Sequence, residues 1–60
     1  PDPRIYHLAL DRLGARAEET LFVDDAPGNI DAAARLGLRT HLFTAPAALE
    51  TALAEEGLLG

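Results

Sequence analysis

Two aspartates stand side by side at Asp24 and Asp25, straight after Leu21-Phe-Val23, a run apolar enough to be a strand. Adjacent carboxylates repel each other, and the repulsion favours a proton on one of the two. A divalent cation removes that penalty and keeps both charged. Mg²⁺ suits the pair, being a hard ion that takes one or two protein carboxylates together with waters and phosphate oxygens. The plainer alternative is a solvated turn in which one aspartate caps the following helix. The position after an apolar strand, with Pro27-Gly28-Asn29 and a helix to follow, favours the metal or phosphate site. Asn29 stands four residues beyond Asp25, about one helical turn on. From there its amide can orient a carboxylate, a water or a substrate oxygen, or it can serve only as a helix cap.

The remaining polar residues point to less. His7 is expected on the exposed side of the first helix, and His41 within a strand as a tolerated edge residue rather than a ligand. Thr44 is expected to cap a helix, and Asp31 reads as a solvated first-turn acid favoured by the helix dipole.

These residues need elements to hold them. Asp2-Pro3 is a helix start, with Asp2 accepting the first free N–H groups and Pro3 suiting the first helical position. Ile5, Tyr6, Ala9, Leu10 and Leu13 recur at helical spacing up to a stop at Gly14. Ala15 to Glu19 reads as a connection, and Thr20-Leu-Phe-Val23 as a short strand covered on both faces. Ala26-Pro27-Gly28 opens a second helix, whose packed side is expected to be Ile30, Ala33, Ala34 and Gly37. Leu38 to Phe43 reads as a second strand. Thr44-Ala-Pro46 opens a third helix with a stripe of Ala48, Leu49, Ala52 and Leu53, ended by Gly57. The order α-β-α-β-α predicts an α/β fold with part of a parallel sheet flanked by helices.

Composition bounds the possibilities. The chain has 60 residues, 48% of them hydrophobic, a net charge of −5 and no Cys. So short a chain without a disulfide or a Cys-based metal staple struggles to bury enough apolar surface, and two strands leave unpaired edges. It is therefore expected to be part of a larger domain, or to self-associate through its open strand edges. The absence of an initiating Met points the same way. The acidic balance and the scattered Arg residues argue against a nucleic-acid partner, and no apolar run is long enough for a membrane span. Pro1-Asp-Pro-Arg4 has neither the basic stretch nor the apolar run of a signal peptide. With no Cys, a reducing, cytoplasmic location is expected.

Pro1-Asp-Pro-Arg-Ile-Tyr6, Leu21-Phe-Val-Asp-Asp25, Asn29 and Ala33-Ala-Arg-Leu-Gly37 together resemble the C-terminal part of a haloacid dehalogenase-like hydrolase, from Pro1 to about Leu59. The resemblance implies a Rossmann-like core in which Asp25 binds Mg²⁺ and Asp24 shares the ion or tunes it. Asn29 falls where other members carry a second acid. It implies phosphoryl transfer from a small phosphorylated metabolite through an aspartyl-phosphate intermediate, a route that needs charge neutralised before an anionic nucleophile can approach phosphate. The family's nucleophilic Asp, its general acid and its Ser/Thr anchor match no segment here, and its lysine before Pro-Asp-Pro has no counterpart in a chain without Lys. The cap domain that selects substrate has no counterpart either. Residues 1–60 are thus expected to supply the metal-binding end of a site, and to be inactive alone.

Three other readings stand beside this one. A signalling receiver domain also sets an acidic pair after a strand, but the preceding helix, the lack of an Asp after Asp31 and the lack of Lys count against it. The metal-free dehalogenase branch is disfavoured by two carboxylates where it carries small hydroxyl residues. A non-catalytic relic serving as a binding module is the third.

Overall fold

The computed structural model describes residues 2–58, so Pro1, which opens the Pro-Asp-Pro motif, and Leu59, where the resemblance ends, lie outside it. The first helix, α1, spans Arg4–Leu13, and its N-cap position falls at Pro3, one residue later than the Asp2 expected; the Asp2 Oδ1 still accepts from the Arg4 N–H at 3.0 Å, and its carboxylate pairs with the Arg4 guanidinium at 2.6 Å. Pro3 already has helical backbone angles, φ −61° and ψ −20°. A single 3₁₀ turn, Ala17–Glu19, lies in the connection to β1 (Leu21–Asp24). Pro27 begins α2 (Pro27–Arg35), a short turn leads to β2 (Arg39–Leu42), and Pro46 begins α3 (Pro46–Glu55). Pro suits both helix starts because its missing N–H has no partner to lose there.

The turn after α2 aims the chain into β2. Gly37 adopts φ +89°, its N–H donates to the Ala34 carbonyl, and the Leu38 N–H reaches back to the Ala33 carbonyl at 3.2 Å. This is a Schellman closure, and its usual apolar contact is made by Ala33 and Leu38, both core residues. β1 and β2 pair in parallel, with Leu21 opposite Arg39 and Asp24 opposite Leu42. Both strands therefore finish at the same edge, where α2 begins.

Tyr6, Ala33 and Leu38 form the buried core, with Leu10, Ala17, Phe22, Ala32 and Leu36 packed against it. The Tyr6 and Phe22 rings meet edge to face, centroids 5.2 Å apart. The pleat sends His41 to the face opposite Phe22, where it shares a groove with Ala48, Thr51 and Ala52 of α3. Arg39 clamps the end of α3 through Glu56, Nε to Oε1 at 2.6 Å. Helices thus flank both faces of the two-stranded sheet, as the alternation predicts.

Four local expectations are corrected. β1 begins at Leu21 and takes in Asp24, one residue later than expected. It is half-buried rather than covered on both faces, with Val23 exposed on the face opposite Phe22, and no strand among the described residues pairs with its outer edge. On α2 the inward residues are Ile30, Ala32, Ala33 and Leu36, while Ala34 and Gly37 face solvent. On α1, Tyr6 is buried, but Ile5 and Leu13 remain 64% and 74% exposed, since the groove they border is open.

Candidate functional site

Asp24 ends β1, and the chain must turn at once to start α2 two residues after Asp25. The Asp24 carboxylate organises that turn. Its Oδ1 accepts from the Asp25 N–H at 2.7 Å and from the Ala26 N–H at 3.3 Å. Its Oδ2 accepts from the Asn29 side-chain amide at 2.7 Å. Asn29 lies in the first turn of α2, so strand end and helix start are joined through one carboxylate. Asn29 is therefore a donor to Asp24 rather than a helix cap: the N-cap position of α2 is Ala26, with no side-chain cap.

At Asp24 these donors work against the repulsion from its neighbour. The Asn29 amide above all, with the backbone N–H groups of Ala26 and Asp25, holds the Asp24 carboxyl below the usual aspartate value against a smaller opposing effect of desolvation. Each donated bond favours the charged form. The Asp24 charge thus has partners within the chain itself. Asp25 contributes its backbone N–H to the turn and keeps its side chain exposed.

A contact that sequence reasoning missed reinforces the arrangement. The Tyr6 hydroxyl donates to the Asn29 carbonyl at 3.3 Å, tying α1 to the first turn of α2. The available signal was a tyrosine within an otherwise aliphatic stripe, since a buried phenol needs a partner for its hydroxyl. A groove of about 540 Å³ runs between α1 and β1, apolar along Ile5, Leu10 and Leu21, and reaches Asp24 and Asn29 at one end.

The other candidates do not join this site. His7 is exposed on α1, and Asp31 is exposed on α2. His41 lies on the α3 side of the sheet, its Nε2 buried without a hydrogen-bond partner. Thr44 is exposed and does not cap: the N-cap position of α3 is Ala45, and no side chain fills the role.

The donor set suits Mg²⁺. Asp24 is fixed by N–H groups, Asp25 is exposed beside it, and both offer hard oxygen. Among the described residues no group of three or more His, Cys, Asp or Glu converges. The pair matches the one or two protein carboxylates that Mg²⁺ takes when waters and phosphate oxygens complete its shell.

Comparison with known proteins fixes the class. The family model of the haloacid dehalogenase-like hydrolases matches residues 1–37, from the α1 start through the acidic turn to Gly37. The chain belongs to that family, which sets aside the receiver reading. It is 46% identical over 61 residues to acyl-CoA dehydrogenase family member 10 of Mus musculus, an alignment covering 100% of this chain and 5% of that protein. It is 45% identical over 38 residues to the GMP/IMP nucleotidase YrfG of Escherichia coli (strain K12), covering 63% of this chain and 17% of the nucleotidase. The chain thus spans a small part of the relatives it matches.

Proposed function

We propose that this chain supplies the Mg²⁺-holding acidic corner of a phosphatase that acts on a small phosphate monoester. A purine mononucleotide is the substrate that the nucleotidase relative's name brings forward. The observation that carries the reading is the Asp24 carboxylate, locked at a strand end by the Asn29 amide with Asp25 exposed next to it. Asp25 would hold the ion directly, and Asp24 would share it or set the position of its neighbour. When bound, Mg²⁺ neutralises phosphate charge, so that an anionic nucleophile can approach phosphorus. Within this chain Asn29 keeps Asp24 oriented and charged, and the start of α2 presents its positive end to the same corner. Attack on phosphorus falls to an aspartate outside residues 1–60, as the family resemblance implies.

The test is phosphate release from GMP by the intact protein that carries this sequence. Asp25→Asn is expected to lower kcat/KM about 100-fold or more, and chelation of Mg²⁺ to abolish turnover. The 60-residue chain alone is expected to release none. Wild-type turnover by Asp25→Asn, or activity unaffected by chelation, would refute the assignment.

A further inference from the structure

Tyr6 is buried to 8% exposure at the junction of three elements, and its two ends do different things. Its ring packs edge to face against Phe22, two residues before Asp24 and on the same face of β1. Its hydroxyl donates to the carbonyl of Asn29, the residue whose amide holds the Asp24 carboxylate at 2.7 Å. Tyr6 therefore touches both the strand that carries Asp24 and the helical turn that fixes it. Ring contact sets the separation between α1 and β1, while the hydroxyl sets where the first turn of α2 stands. Without the hydroxyl, a phenyl ring fills the same space, but the Asn29 carbonyl loses its bond to α1.

We infer that Tyr6 is a positioning residue for the acidic corner, acting through Asn29 to hold the Asp24 carboxylate in place. As a statement about Mg²⁺ affinity, this rests on the proposed function. As a statement about the Tyr6–Asn29–Asp24 chain of contacts, it does not. The Tyr6 hydroxyl bonds to the Asn29 carbonyl and to neither carboxylate of the pair. What it governs is how well the pair is prearranged before a ligand arrives, and prearrangement is read as affinity.

The experiment uses the intact protein and three variants, Tyr6→Phe, Asn29→Ala and the double change. Mg²⁺ affinity is measured by calorimetric titration, and hydrogen exchange of the Asn29 side-chain amide by NMR. Tyr6→Phe is expected to weaken Mg²⁺ binding about threefold to tenfold, the range one hydrogen bond is worth, and to speed Asn29 amide exchange. The double variant is expected to bind no more weakly than Asn29→Ala, because both changes remove one line of support. Leu53→Ala, a half-buried position on α3 outside the groove that reaches Asp24 and Asn29, is expected to lower the melting temperature and leave Mg²⁺ affinity unchanged. Wild-type affinity in Tyr6→Phe, additive losses in the double variant, or an equal loss in Leu53→Ala would overturn the inference. If the wild-type protein binds no Mg²⁺, the proposed function fails, and Asn29 amide exchange then decides the inference alone: faster in Tyr6→Phe supports it, unchanged overturns it.

Discussion

Ala33→Leu and Ala34→Leu, tested as a pair, probe how α2 sits on the sheet. Ala33 is 0% exposed, wedged against Tyr6 and Leu38, with Phe22 and Leu36 closing around it. Its neighbour Ala34, about 100° further round the helix, is exposed. Both substitutions keep helix propensity almost unchanged, because Leu and Ala are both strong helix formers. The difference between them is therefore packing. Three extra carbons at Ala33 have nowhere to go unless α2 lifts from β1 and β2, and overpacking of that kind costs about 1–3 kcal/mol. At Ala34 the added side chain meets solvent, and the cost stays within about 0.5 kcal/mol. Ala33→Leu is thus expected to lower stability by about 1–3 kcal/mol, and Ala34→Leu by no more than about 0.5 kcal/mol. Circular dichroism melts of the intact protein, with urea titrations to separate stability from a change in compactness, read both effects. Equal losses, or the larger loss at Ala34, would refute the placement of α2.

Two further expectations follow from local geometry. Because its donors hold the folded Asp24 carboxyl below the ordinary value of 3.8, it contributes stability that is present above about pH 4 and lost as the pH falls through the folded value. Melting temperatures recorded from pH 6 to pH 2 are expected to fall less steeply in Asp24→Asn. Asp2, held low by Arg4, supplies part of the slope that remains; an unchanged profile would refute the role given to Asp24. Gly37→Ala places a side chain at φ +89° and is expected to cost about 1 kcal/mol or more in urea denaturation, even though the nearest atom to the new methyl, the Ala17 Cβ, is an unobstructive 3.8 Å away.

The order of elements was legible because punctuation and pattern agree. Pro27 and Pro46 open helices, Gly14, Gly37 and Gly57 close them at positive φ, and the acidic pair falls where the first strand ends. The phase of α2 was not legible. Three consecutive alanines are equally apolar, so only docking decides which of them turns inward, and the phase follows Ile30 and Leu36. What favours the charged form at Asp24 was not legible, because adjacency in the chain shows the repulsion but hides the N–H donors that the turn aims back at the carboxylate. The Tyr6–Asn29 bond spans 23 positions and depends on how α1 settles against the sheet, which no local pattern encodes. Thr44 failed as a cap for a simpler reason: the chain stays extended through Ala45, so the helix begins one residue too late for its hydroxyl.

The parallel register also implies an order of assembly. Leu21 cannot meet Arg39 until the chain between them has doubled back, and that closure costs entropy before any ladder bond repays it. The bonds around Asp24, by contrast, span between one and five positions and need no such closure. Helix formation in a peptide of about 20 residues takes on the order of 0.1–1 μs, and a helical α2 shortens the segment to be closed. By this reasoning the acidic turn is a local nucleus available early, and strand pairing the slower event that then locks it to the rest of the molecule.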